Sequence, residues 1–171
     1  MKRTIAISLV IYVGLVMADV AAQAQQSART PAEVYTGHFI SLNKTVLAMA
    51  QEFPADKYDY SPEKGVRSFG DVIIHIASGN VYAAKAGRGE KVNWDDELDP
   101  KNYKGKDQIV AELQKSINDA EATLKATPKD HFAQTPDPWF DVIEHEAEHM
   151  GQLVAYYRMN GLVPPQSRPK K

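Results

Sequence analysis

The sequence predicts an all-α fold, a four-helix bundle. Three observations predict it. Four stretches place apolar residues at helical spacing, start or stop signals bracket those stretches, and no run alternates with period two as a half-buried strand does.

Thr30-Pro31-Ala32-Glu33 opens the first helix. Thr30 suits a cap, Pro31 suits the first turn, and Glu33 completes a capping box. Val34, Leu42, Val46 and Phe53 follow at helical spacing, and Pro54 ends the element. Ser68, with Asp71 three residues on, starts the second helix. Its apolar face is Phe69, Val72, Ile73, Ile76 and Ala83, and Gly87 to Gly89 stop it. The polar stretch "EKVNWDDELDPKNYKG" reads as a long loop. Ile109, Val110, Leu113, Ile117, Ala120 and Leu124 then form a third face, closed by Thr127-Pro128. Asp137-Pro138 opens the fourth helix as a capping residue followed by Pro at the first helical position. Val142, Ile143, Met150, Leu153 and Tyr157 make its inner face. Gly161 suits the left-handed turn beyond its end, and Pro164-Pro165 block continuation.

The four helices do not begin at Met1. Lys2 and Arg3 precede an apolar run, Ile5 to Met17, and "AQA" at Ala22 to Ala24 fits the small-x-small pattern of a cleavage site. Residues 1–24 read as a secretory signal, with cleavage expected before Gln25; an uncleaved N-terminal anchor is the alternative. Residues 25–171 then form one domain, large enough for a single hydrophobic core. An exported location, periplasmic or secreted, follows, with no stable membrane insertion after cleavage. The chain has no cysteine, which excludes disulfides and a cysteine-linked lipid anchor. Its formal net charge is −2, and no basic stripe marks a nucleic-acid surface.

The chemistry concentrates in "HEAEHMGQ", His145 to Gln152. His145 and His149 are four residues apart, so on a helix both imidazoles share one face and can grip one metal ion. The string also matches the H-E-x-x-H of zinc proteases. Those need a third ligand downstream, and after His149 the chain has no His, Asp, Glu or Cys. It also lacks the strand that aligns a peptide, so the protease reading fails. A solvated pair of histidines among surface glutamates is the plain alternative. His75 shifts that balance. It sits at the edge of the second helix's apolar arc, beside Val72 and Gly79, and His145 and His149 occupy the same kind of edge on the fourth. Three such edges facing one cavity make an open metal site of three imidazoles.

Several other residues carry two readings each. Glu146 falls near the middle of the fourth helix's apolar arc, as a general base or second-sphere group, or as a structural ion pair. Asp71 and Asp141 lie one turn before His75 and His145; the helix-dipole role is favoured over orientation of a ring. His38 is a pocket residue or fourth ligand, or else a packed or surface histidine. His131, in a Pro-rich connection, is expected to be exposed. Trp94 closes over the cavity mouth or anchors its loop. Tyr82, Gln152 and Tyr156 line the pocket or pack in the core.

"RSFGDVIIHIASGN" and "EHEAEHMGQLVAYYRMNGLVPP", with "HMG" where relatives often have "HRG", resemble the DinB family (DinB/YfiT-like). The resemblance runs from about Thr30 to Pro165. It implies a four-helix bundle in which His75, His145 and His149 bind one divalent metal ion, and a homodimer. Characterised members of the family include thiol-dependent transferases and isomerases that use cytosolic thiols, which sits poorly with an export signal. The expected function is therefore a metal-dependent hydrolase or transferase acting on a small molecule, with Zn, Ni or Fe as the ion; imidazole suits Cu as well. A non-catalytic metal- or ligand-binding bundle is the alternative, and a secreted structural domain a third.

Overall fold

The computed structural model describes residues 29–169. The signal reading of residues 1–24 lies outside the described residues. From Pro31 onward the chain is helical, and no strand occurs among the described residues. Four long helices form the bundle: α1 (Pro31–Glu52), α2 (Phe69–Gly87), α3 (Gly105–Ala126) and, after the four-residue α4 (His131–Gln134), α5 (Trp139–Met159). Single 3-10 turns occur at Ala55–Lys57, Pro100–Asn102 and Pro165–Ser167. No helix among the described residues is long and apolar enough to cross a membrane.

The predicted boundaries hold where side-chain or backbone chemistry fixes them. Ser68 accepts a hydrogen bond from the Asp71 amide, and the Asp71 carboxylate accepts one from the Ser68 amide, so the capping box of α2 is complete. Gly161 has φ of 70°, the left-handed turn after α5. Two expectations are corrected. Asp137 does not cap α5: the cap position is Pro138, and the Pro136 carbonyl takes the amides of Trp139 and Phe140 instead. The inner face of α1 is Phe39, Asn43, Val46, Met49 and Ala50, not the arc through Val34 and Leu42, which are only half-buried. The polar Asn43 interrupts that stripe and hides it from a purely apolar count.

In the bundle, α2 packs against α3 and α5, and α1 also packs against α3 and α5. The first two helices therefore stand at opposite corners, and the connection from Phe53 to Ser68 carries the chain across. Short α4 rests on α1, where Phe132 stacks on Tyr35 at 5.2 Å.

The core has two apolar clusters. The larger contains Val46, Phe53, Phe69, Ile73, Leu113 and Tyr157; the smaller contains Phe39, Ala83, Leu124, Trp139 and Val142. A polar layer of Asn43, Asn80 and Glu146, all buried, lies between them along their helices. Phe69 ties the larger cluster together. It stacks on Phe53 at 3.7 Å and meets Tyr58, Tyr156 and Tyr157 edge-on or tilted. Phe69→Ala is expected to lower stability by about 3–5 kcal/mol, the usual cost of removing a fully buried aromatic ring. A urea titration reads this directly; a midpoint within error of the parent would contradict the packing.

Candidate metal centre

His75 comes from α2, and His145 and His149 from successive turns of α5, which packs beside it. The three imidazoles converge. Their ring centroids form a nearly equilateral triangle with sides of 4.7, 4.6 and 4.5 Å. His75 Nε2 and His145 Nε2 are 3.0 Å apart, and each of the three rings offers a nitrogen within 4.8 Å of the others. Three nitrogens at 2.0–2.1 Å from one tetrahedral zinc ion stand about 3.3 Å apart. The observed spacing brackets that value, so the donor set fits a divalent ion.

Outer partners fix two of the rings. Glu97 Oε2 lies 3.0 Å from His75 Nδ1, and Gln152 Oε1 lies 2.9 Å from His149 Nδ1. The Gln152 amide oxygen is an acceptor, so it holds His149 as the Nδ1–H tautomer and leaves Nε2 with a lone pair, while the Glu97 carboxylate faces His75 Nδ1 as a charge partner. The two arms join into one circuit. Gln152 Nε2 donates to the Tyr156 hydroxyl at 3.1 Å, and that hydroxyl donates to the Arg67 carbonyl at 2.6 Å. The Arg67 guanidinium in turn reaches both Glu97 oxygens at 3.2 Å.

Burial disfavours charge on two of these imidazoles, His75 and His145. It lowers His75 despite the opposing interaction with the Glu97 carboxylate, which accepts from the ring. It pushes His145 down to about 4, with His149 and His75 adding to the effect. Neutral rings are the form that ligates a metal. Partial burial works against ionisation of Glu97, but the His75 hydrogen bond and the nearby His75 and Arg67 charges outweigh it and hold the carboxyl below its usual range.

A cavity of about 490 Å³ opens beside His145, lined by Trp94, Asp141, Glu144 and Glu148. The Trp94 indole stands edge-on to His145 at 5.2 Å and to Tyr82 at 4.6 Å. The long loop thus supplies both Trp94 and Glu97, and its Leu98 amide donates to Ser78 Oγ on α2 at 3.0 Å.

The family model of the DinB superfamily matches residues 39–156, from the middle of α1 through Tyr156. The chain belongs to the DinB superfamily. Comparison with curated proteins gives no sequence match.

The DinB bundle places the remaining candidates as follows. Gln152, Tyr156, Tyr82 and Trp94 all join the histidine centre or its rim. Asp71 serves the α2 cap, and Asp141 lines the cavity without bonding a histidine. His38 is not part of the centre: it is exposed on a groove between α1 and α5, turned outward by the rotation that buries Phe39 and Asn43. His131 also stands apart, but it is half-buried rather than exposed, because short α4 brings its Nε2 to 2.8 Å from the Asp137 carbonyl.

Glu146 is fully buried. Its Oε2 accepts a hydrogen bond from Asn43 Nδ2 at 2.8 Å, and Asn80 Nδ2 donates to Asn43 Oδ1 at 3.2 Å. Burial raises its carboxyl to about 8, against the Asn43 hydrogen bond that pulls it down. Glu146 Oε1 and Asn80 Oδ1 are both buried acceptors without a donor. A proton on the carboxyl supplies one.

Sequence reasoning missed Glu97 and Arg67, which sit in connections without periodicity. It also passed over Gly79 as more than a neighbour of His75; a glycine in the middle of a helix was the available signal.

Glu97→Gln is expected to weaken divalent-metal binding about 10–100-fold, as loss of an outer carboxylate partner does. Competition against a chelator measures it. Unchanged affinity would mean that Glu97 does not orient His75.

Proposed function

We propose that this DinB protein is an exported metalloprotein. His75, His145 and His149 hold one divalent ion, and a small molecule is hydrolysed or receives a transferred group in the cavity beside Trp94. The convergence of the three imidazoles, two of them in contact with Glu97 and Gln152, carries this reading. An ion on three protein ligands supplies Lewis acidity at an open position.

The cavity wall sets what enters. Asp141, Glu144 and Glu148 have no cationic partner among the described residues, so they favour neutral or cationic molecules over anions. Trp94, 40 % exposed, offers an apolar face at the mouth. Burial raises the Asp141 carboxyl, and Asp137 and Glu144 add to the rise. That makes Asp141 the wall residue best suited to accept a proton. Glu146, buried and bonded to Asn43, serves the helix packing in this reading rather than the reaction.

Elemental analysis of protein purified from the export compartment of its native host tests the proposal. One equivalent of Zn, Ni or Fe is expected, on a chain whose intact mass begins at Gln25. A metal-free protein retaining Met1 would refute both the centre and the export. One equivalent of metal with no turnover of neutral or cationic ester and amide substrates would favour the non-catalytic binding bundle.

A further inference from the structure

We propose that Gly79 is a positioning residue of the histidine centre: its missing side chain seats the His145 ring at the depth where it meets His75 and His149. Helix α2 presents His75 and, one turn later on the same face, Gly79. A Cβ at Gly79 would lie 2.9 Å from His145 Nδ1 and 3.1 Å from its Cε1. Ordinary contact for such a carbon begins near 3.4 Å, so any side chain here forces a displacement of about half an ångström.

The ring has little room to take that up. Trp94 stands edge-on to it, Val142 Cγ2 lies 3.8 Å from the same Cβ position, and Nε2 is already 3.0 Å from His75 Nε2. The displacement therefore passes into the histidine centre or separates α2 from α5. Metal–nitrogen bonds tolerate deviations of about 0.2 Å, less than the shift required. Alanine would otherwise be the better residue in a helix interior, since glycine there carries a conformational-entropy cost. The α2 backbone forgoes that stability where the His145 ring lies against it.

The inference rests on the proposed metal centre for its binding readout only. The test compares Gly79→Ala with Gly151→Ala, the same exchange in the helix that carries His145 and His149, at a glycine with nothing within 4 Å of its Cβ position. Cobalt(II) is the probe, followed by its visible absorption and by chelator competition. Gly79→Ala is expected to weaken cobalt binding at least tenfold and to alter the spectrum of the loaded protein; Gly151→Ala should change neither. Parental affinity and spectrum in Gly79→Ala would overturn the proposal.

Thermal unfolding of the metal-free proteins separates the seat from the metal. With His145 replaced by alanine, Gly79→Ala should raise Tm, as the exchange does in an open helix; with His145 present it should not. Equal shifts in both backgrounds would overturn the seat. Should Gly79→Ala fail to fold, the Gly79→Ala/His145→Ala double variant decides: a folded double variant supports the seat, and an unfolded one refutes it. Should the parent bind no cobalt, the metal reading falls while this coupling still tests the seat.

Discussion

Replacing His75, His145 or His149 by alanine is expected to cut divalent-metal affinity by more than about a hundredfold, beyond the range for losing an outer partner. Each ring supplies one of three nitrogens that stand within reach of a single ion. Two imidazoles leave the ion half-solvated. His75→Ala is the sharpest case, because it breaks the link between helices and leaves only the i, i+4 pair on α5. His131→Ala is the control: its ring contacts the Asp137 carbonyl and stands outside the centre. Titration with zinc against a chromogenic chelator reads all four variants. A parental affinity in any of the three, or a loss in the control, would refute the assignment.

In the metal-free protein, stability is expected to decline by on the order of 2 kcal/mol as pH rises from about 6.5 to 8, and Glu146→Gln is expected to abolish that decline. The folded protein holds the Glu146 proton up to about 8 through burial, whereas the ordinary value is 4.5. The folded state therefore binds more protons than the unfolded state across that range, and stability is lost as pH rises through it. His145 and His75 act in the opposite sense. Their folded values are lowered, so the unfolded chain takes up protons first and stability falls with acid below about 6.5. The two slopes oppose each other between 4.5 and 6.5, which leaves the higher window to Glu146. Glutamine keeps an oxygen for Asn43 and brings the donor that the layer lacks. Urea midpoints at four pH values across the window make the comparison; parallel curves for parent and variant would show that Glu146 is not held neutral.

The polar layer also explains which parts of the bundle were hard to read. Asn43 sits where an apolar count expects leucine, so that count places the inner arc of α1 one edge away from its true centre. The same count worked on α2, where Phe69, Val72, Ile73 and Ile76 are all buried, and on α3, where Leu113 and Ala120 are. The start of α5 slipped by one residue because the Pro136 carbonyl, not a side chain, satisfies its first amides.

The sequence by itself determined the helices, the Ser68–Asp71 cap, the turn at Gly161, and the placing of His75, His145 and His149 on the edges of their apolar arcs. All of these are local: spacing along the chain fixes an angle around one helix axis. The tertiary structure alone decided that α1 and α2 stand at opposite corners, that Glu97 and Trp94 fold back from the loop onto His75 and His145, and that Gly79 faces the His145 ring. Those outcomes depend on which helices become neighbours and on how an aperiodic loop is pinned at Ser78. Burial of both apolar clusters at once selects them, and no spacing within a single segment encodes that requirement.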